Sequence, residues 1–321
     1  MNDKIIDFIQ QKEEATPKEI SEYIGISRQM IHRYLKGLLH QNKIYKIGSA
    51  PNVYYKAVEI KSKNYGLLAE EDSFYLENNF IEITNTGQLL KGEQAFVYWC
   101  EKRDLPLKKT YDEYRKTLLK YDKFKHNGII SGKDKLENTK GFSHIYLEDI
   151  FYLDFYEIER FGKTLLGKLI HFGKQSQNKK LLDEIVKITK QDILNLIRRL
   201  GVDAIAYIPP TISRQIQIMT VLENGYAISL PKIKLVKVKG EIVVPQKALS
   251  KIKDRIENTQ QSIMVADKRT FNSVLLIDDA VGSGATLNET AGKLIKKSLA
   301  SKVFGLAITG SYKGFEVITE A

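Results

Sequence analysis

The chain has 321 residues, of which 43% are apolar and 28% are charged, and this length predicts two or three domains with their own hydrophobic cores. Fifty Lys and Arg residues outnumber 39 Asp and Glu residues, which gives a net charge of +11. This excess favours a polyanionic partner, although a basic protein without one has the same composition. Cys100 is the only cysteine, which excludes an internal disulfide framework and a cysteine-based zinc site.

The N-terminal stretch MNDKIIDFIQQKEE is amphipathic and polar, and it lacks the layout of a secretory signal. No apolar run in the sequence reaches the length that spans a membrane. We therefore expect a cytoplasmic protein with no membrane partner.

Residues 1–58 predict three helices and a hairpin. The segment Thr16-Pro17-Lys18-Glu19 has the form of a capping box that opens the second helix. Gly25 is placed to end that helix, and Ser27 is placed to cap the third. Two short strand-like runs then flank a Gly-Ser-Ala-Pro-Asn turn. The side chains expected to face the core are Ile20, Tyr23 and Ile24 of the second helix and Ile31, Tyr34, Leu35 and Leu38 of the third.

Two helices joined by a tight turn and followed by a hairpin resemble a winged helix-turn-helix domain. In that family the helix after the turn enters the major groove of double-stranded DNA, which implies a DNA contact here through the third helix and the wing. Residues 1–60 carry 9 basic and 7 acidic side chains, so such a contact would rest on a local patch. A winged helix used for protein contact or dimerisation is the alternative. The candidate DNA-binding residues are Ser27, Arg28, Gln29, His32, Arg33, Lys36, Lys46 and Lys56.

Residues 59–140 predict a helical connecting region, to which we assign no chemistry. The aromatic residues around Trp99 are typical of a small helical core. The polar, glycine-punctuated segment at residues 124–141 predicts a linker or exposed loop.

Residues 141–321 predict an α/β domain. The runs DAIAYIPP, SVLLIDD and KVFGLAITG are short and mainly aliphatic, and helical stretches separate them. This pattern is typical of a parallel sheet covered on both faces. The expected α/β architecture is therefore an N-terminal winged helix (α+β), a helical middle region and a C-terminal domain with a parallel sheet.

The stretch VLLIDDAVGSGATL at residues 274–287 contains the candidate ligand-binding residues of this domain. Asp278 and Asp279 stand at the carboxyl end of a predicted parallel strand, where open α/β sheets bind ligands. The small-residue loop lets backbone amides converge on a phosphate, helped by the positive end of the helix that begins near Thr286. Carboxylates repel phosphate, so they would face sugar hydroxyls or the water shell of Mg2+. A phosphorylated ribose meets both demands.

Other phosphate motifs do not fit this stretch. A P-loop requires Lys followed by Ser or Thr after its last glycine, where this chain has Ala285 and Thr286. A dinucleotide fingerprint requires Gly or Ala where Leu287 stands, and its acid follows the loop rather than preceding it. Two capping aspartates before an ordinary helix remain the alternative.

The same stretch resembles the signature of type I phosphoribosyltransferases, which bind phosphoribosyl diphosphate (PRPP). The segments PQKALSKIKDRIENTQQSIMV, FGKTLLGKLIHFGK and DAIAYIPPTISRQIQ resemble the competence-protein (ComF-like) members, and the likeness covers about residues 155–312. It implies a PRPP site in which the acid pair binds ribose hydroxyls and Mg2+ arrives with PRPP near that pair, without a direct protein ligand. The implied PRPP-binding residues are Asp278, Asp279, Val281, Gly282, Ser283, Gly284, Ala285 and Thr286 around the ribose 5-phosphate, and Pro209, Pro210, Thr211, Arg214, Lys247 and Arg255 around the diphosphate.

One departure from the family concerns the reaction. The hypoxanthine-guanine members carry an Asp at the position that matches Gly282, and that Asp handles the base proton. Because glycine lacks such a group, the chain is not expected to salvage a 6-oxopurine. The sequence identifies no other general base.

Three functions fit these features. The first is a ligand-responsive regulator, similar in plan to the purine-operon repressors of Gram-positive bacteria. The second is an active phosphoribosyltransferase that acts on a base, nucleotide or nucleic acid, since similar fusions accompany retron-type defence systems. The third is a scaffold for a protein complex. In each case winged helices of this kind favour a homodimer.

Overall fold

The computed structural model describes residues 1–41, 43–49, 51–57, 68–238, 249 and 251–312. The chain divides into two units, residues 1–111 and 112–321, and the domain boundaries expected at residues 58 and 140 stay predictions. Lys247 lies outside the described residues. In the described part of the chain, no helix is long and apolar enough to cross a bilayer.

The first unit begins with the predicted three helices and hairpin. Thr16 Oγ1 accepts a hydrogen bond from Glu19 N, and the Glu19 carboxylate accepts one from Thr16 N, so the capping box is confirmed. Gly25 ends the second helix with φ 76°, and Ser27 Oγ caps the third. The elements are α1 (Asn2–Gln11), α2 (Pro17–Ile24), α3 (Arg28–His40), β1 (Ile44–Ser49) and β2 (Asn52–Ala57), with β1 and β2 antiparallel.

A single core holds these elements together. Ile5 and Ile9 of α1, Ile20 of α2, and Ile31 and Leu35 of α3 are buried in it. The expectation that Tyr23 points inward is wrong, because its surface is 58% exposed. Its ring instead stacks on Phe8, with ring centroids 4.1 Å apart.

The rest of the first unit is built around aromatic side chains. The elements are α4 (Glu70–Asn79), β3 (Ile81–Ile83), β4 (Leu89–Lys91), α5 (Gly92–Glu101) and α6 (Leu107–Asp122), which runs past the end of the unit. The rings of Phe80, Phe96, Trp99 and Tyr111 are buried and meet edge to face or stacked. The expected small aromatic core is therefore confirmed.

The second unit contains a six-stranded, mostly parallel sheet. Its further elements are β5 (Lys125–His126), β6 (Ile129–Ser131), α7 (Lys133–Asn138), β7 (Ile150–Phe155), β8 (Glu157–Ile158), β9 (Gly162–Lys163), α8 (Leu165–Ser176), α9 (Lys179–Leu200), β10 (Ala204–Tyr207), α10 (Ile218–Tyr226), β11 (Leu235–Lys237), α11 (Ile252–Ser262), β12 (Ile263–Val265), β13 (Phe271–Val281), α12 (Ala285–Lys296) and β14 (Ala300–Gly310). The strand order is β10-β13-β14-β7-β6-β5. The strands from β10 to β7 run parallel, which confirms the expected sheet.

Burial explains the aliphatic runs of the central strands. Val274, Leu275, Leu276 and Ile277 of β13 are fully buried. Consecutive residues of a strand point to opposite faces, so the sheet is covered on both.

The interpretation of residues 124–141 as a linker or exposed loop is wrong. Asn127 and Gly128 both have positive φ, 52° and 77°, which is the backbone of a two-residue hairpin turn. The hairpin β5–β6 pairs antiparallel with β7 and extends the sheet. The segment therefore belongs to the α/β unit.

Candidate ligand site at the carboxyl edge of the sheet

The acid pair lies at the carboxyl edge of the parallel strands. Asp278 and Asp279 are near the end of β13, where Asp278 pairs with Ala307 of β14. On the other side, Tyr207 of β10 pairs with Ile277, and Ile208 N donates a hydrogen bond of 2.9 Å to Ile277 O. The loop at residues 209–214, which follows β10, therefore begins at the same edge. It contains the predicted Pro209, Pro210, Thr211 and Arg214.

A short loop joins β13 to α12. Gly284 has φ 77° and is the N-cap of α12, which begins at Ala285. Ser283 Oγ accepts a weak hydrogen bond of 3.4 Å from Ala285 N. Within the described residues, the backbone N–H groups of Gly282, Ser283 and Gly284 donate to no protein acceptor. They stand at the positive end of a twelve-residue helix, so the loop offers a site for an anion.

The residues of this loop and its flanks have small side chains. Val281, Ser283 and Ala285 are buried, and Thr286 is half-buried in the first turn of α12. The predicted residues at 281–286 thus run from the end of β13 through the loop into the first turn of α12. We call residues 282–286 the anion loop.

Arg255 of α11 lies beside the anion loop. A β-carbon placed on Gly282 would lie 3.4 Å from Arg255 Nη1. The Arg255 side chain is 9% exposed, and its Nε donates a hydrogen bond of 2.8 Å to Leu249 O. Burial lowers the pKa of Arg255, but an arginine side chain stays charged in proteins. The structure thus brings a predicted diphosphate-binding residue next to the loop predicted to hold the 5-phosphate.

The acid pair is half-buried and held by specific contacts. Asp279 N donates a hydrogen bond of 2.8 Å to Asp278 Oδ1, and Lys174 Nζ donates one of 2.7 Å to Asp279 Oδ2. Burial, and then the charge of Asp279, raise the pKa of Asp278 to about 7, while the charges of Lys174 and Lys237 act in the opposite direction. The pair therefore carries anionic charge that the protein only partly neutralises.

Sequence patterns do not predict three further features of this region: Lys174, Lys237 and a Tyr–His pair. Tyr156, just beyond β7, has its hydroxyl 3.2 Å from His171 Nδ1 on α8, and Tyr156 N donates to Gly310 O at the end of β14. Lys174 follows His171 by three residues on the same helix, so the two share a helix face. The sequence carries no signal for these contacts, because a lone Lys or His on an amphipathic helix has the pattern of an ordinary surface residue.

The predicted DNA-binding residues lie mainly on one helix. The exposed side chains on α3 are Arg28, Gln29, His32, Arg33 and Lys36. Ser27 caps this helix, and Lys46 is exposed on β1. Lys56 of β2 is half-buried, and its Nζ lies 3.2 Å from Glu14 Oε2. Lys56 is thus partly neutralised by a neighbour.

Residues 2–56 match a family model described as an HTH domain. A search of curated proteins gives no significant match. Among solved structures, the chain is similar to a hypoxanthine phosphoribosyltransferase from Trypanosoma cruzi in complex with the product IMP. The two sequences are 12% identical, the match covers 44% of this chain and 73% of that chain, and the TM-score is 0.29. It is also similar to a hypoxanthine phosphoribosyltransferase from Staphylococcus aureus, with 13% identity, 44% and 70% coverage, and a TM-score of 0.26. The first 56 residues thus contain a helix-turn-helix domain.

Proposed function

We propose that this chain is a DNA-binding protein whose second unit binds PRPP or a related phosphoribosyl compound, and that the ligand regulates DNA binding. One observation supports the ligand part: the anion loop, with unpaired N–H groups and Arg255 beside it, lies next to a half-buried acid pair. The resemblance of residues 155–312 to ComF-like phosphoribosyltransferases points to the same ligand.

The two halves of this site suit the two halves of a sugar phosphate. The anion loop and the helix end favour a phosphate dianion. The carboxylates of Asp278 and Asp279 repel a phosphate but accept hydrogen bonds from sugar hydroxyls. Among the described residues, no group of three or more His, Cys, Asp or Glu side chains is arranged to hold a metal ion. We therefore propose that Mg2+ reaches the site with the diphosphate, near the acid pair, and that Lys247 and the loop at residues 209–214 contact that diphosphate.

The DNA part rests on the helix-turn-helix domain. The exposed Arg28, Gln29 and Arg33 of α3 are of the types that bind base edges and phosphates in the major groove. Lys46 is placed on the wing for a backbone contact. We propose that the protein binds DNA as a homodimer, so that each protomer contacts one half-site.

Regulation requires that the ligand bind one arrangement of the protein better than another. The test is the affinity of the full chain for a duplex selected from a random pool, measured with increasing PRPP and Mg2+. We expect the affinity to change about fivefold or more at saturation. The double variant Asp278→Asn, Asp279→Asn should bind the duplex but not respond to PRPP. An affinity that PRPP does not change in the wild type would refute regulation.

The Tyr156–His171 pair favours a second candidate function, phosphoribosyl transfer to an acceptor. His171 would take the proton from an acceptor N–H, the nitrogen would bond to the ribose C1, and the bond from C1 to the diphosphate oxygen would break to release pyrophosphate. Pyrophosphate release is measured with bases, nucleotides and oligonucleotides as acceptors. Release that His171→Asn lowers at least about 100-fold would support transfer, and no release with any acceptor would retire it.

A further inference from the structure

Lys174 is the only described cation in direct contact with the acid pair. It belongs to α8, 105 residues before Asp279 and outside the anion loop. Its side chain is 24% exposed and that of Asp279 is 14% exposed, so water screens this ion pair only partly. Its electrostatic interaction is therefore stronger than that of a fully exposed ion pair.

Existing hydrogen bonds leave two carboxylate oxygens for a ligand. Asp278 Oδ1 accepts the N–H of Asp279, and Asp279 Oδ2 accepts Lys174. In the described part of the chain, Asp278 Oδ2 and Asp279 Oδ1 accept no hydrogen bond. One oxygen from each of two adjacent acids suits two adjacent hydroxyl donors. Because Lys174 occupies Asp279 Oδ2, Oδ1 is the oxygen of Asp279 that can accept from the ligand.

Lys174 also balances the charge of the pair. Among the described residues, the charged groups that act on Asp278 are Asp279 itself, Lys174 from α8 and Lys237 from β11. Lys237 Nζ donates its hydrogen bond to Ser262 Oγ, at 2.6 Å, so it acts on Asp278 through its charge alone. Two adjacent, poorly solvated carboxylates tend to share a proton, and a protonated carboxyl group loses part of its capacity to accept from a hydroxyl.

We propose that Lys174 is a positioning residue for the phosphoribosyl ligand: it orients Asp279 and keeps the acid pair ionised, so that both remaining oxygens accept sugar hydroxyls. This role rests on the proposed ligand-binding function. Loss of Lys174 should therefore weaken binding most where the pair takes up a proton, and a higher pH should restore it.

The test is calorimetry of the full chain with ribose 5-phosphate between pH 6 and pH 9. Lys174→Met should lose about tenfold in affinity at pH 7 and recover most of it by pH 9, since one unit of pKa corresponds to a factor of ten. Lys174→Arg, which keeps the charge, should follow the wild-type pH profile. Lys179→Met removes an exposed lysine paired with Asp183 and should leave the profile unchanged.

Two results would overturn the proposal. One is a Lys174→Met variant with wild-type affinity at every pH. The other is an affinity loss that does not depend on pH, which would assign Lys174 a structural role only.

A second readout needs no ligand and separates this proposal from the proposed function. Carboxyl 13C NMR follows the titration of Asp278 in the free protein. The apparent pKa of Asp278 should rise by about one unit in Lys174→Met. If the wild type binds no ribose 5-phosphate, the proposed function fails, and this titration still decides the effect of Lys174 on the charge of the pair. An unchanged titration refutes that effect.

Discussion

Gly284 sets the shape of the anion loop. Its φ of 77° is a left-handed conformation that a β-carbon makes unfavourable. With this backbone the loop turns directly into α12, so that its N–H groups stand at the helix end. The left-handed conformation of Gly284 thus lets a short loop connect β13 to α12.

The Gly284→Ala variant should lose both stability and ligand binding. The strain of a left-handed alanine costs about 1 kcal/mol, and relief of that strain would move the N–H groups of the loop. Gly201→Ala is the matched control, because Gly201 ends α9 with φ 60° and a β-carbon at this position would meet open space. Both variants should melt at lower temperature, but Gly284→Ala alone should weaken PRPP binding in calorimetry. Equal affinities in the two variants would contradict the role of the loop.

Asp278 makes the stability of the second unit depend on pH. Its pKa is raised from 3.8 to about 7 in the folded state, so the folded protein holds this proton more tightly than the unfolded chain does. As the pH rises between these two pKa values, ionisation of Asp278 therefore lowers the free energy of unfolding. Above the pKa of the folded state this destabilisation stays constant.

The Asp278→Asn variant should remove this penalty. Thermal melting should show the variant more stable than the wild type at pH 8, by up to about 4 kcal/mol for roughly three units of pKa, with the difference disappearing toward pH 4. Asp183→Asn, at an exposed acid of α9, is the control and should show no such trend. A difference between Asp278→Asn and wild type that is constant from pH 4 to pH 8 would show that Asp278 is not the group responsible.

At the scale of elements, α3 presents its polar side to solvent because its apolar residues follow a single face. Ile31, Leu35 and Leu38 are buried, while Arg28 and Arg33 are exposed. This division leaves the exposed face of α3 available for the proposed contact with DNA. The cap by Ser27 fixes where it begins.

The Arg33→Ala variant should weaken DNA binding through a lost phosphate or base contact. Its affinity for the selected duplex should fall about tenfold, or about 1.4 kcal/mol, which is within the roughly 1–3 kcal/mol of such a contact. If Arg33 contacts a phosphate, the slope of log affinity against log salt should also fall by about 1. Fluorescence anisotropy at several salt concentrations measures both. Lys4→Ala removes an exposed cation from α1, and an equal loss in that control would show that only net charge matters.

The elements that could be predicted from the sequence are those with strong local signals. The cap at Thr16 and the turn at Gly25 depend on residues close in the chain, and β13 contains the uninterrupted aliphatic run at residues 274–277. The hairpin β5–β6 was missed because strands of two and three residues are too short to show alternation. Tyr23 was misplaced because helical spacing does not show where a core ends.

At the scale of the whole molecule, the site combines a local motif with distant partners. Asp278, Asp279 and Gly284 were predictable because one stretch of sequence contains them. Lys174 lies 105 residues from Asp279 and reaches it only because α8 packs against the same sheet. A contact of this kind depends on tertiary packing, which a single sequence does not encode as a pattern. Arg255 was identified only through a family resemblance.

Calorimetry with PRPP and Mg2+ tests the central claim most directly, namely that the anion loop and the acid pair bind one phosphoribosyl compound. We predict saturable binding to the wild type and an affinity at least about tenfold lower in the double variant Asp278→Asn, Asp279→Asn, since lost charge-assisted hydrogen bonds cost roughly 1.5–3 kcal/mol each. No heat with the wild type, or equal affinity in the double variant, would contradict the account.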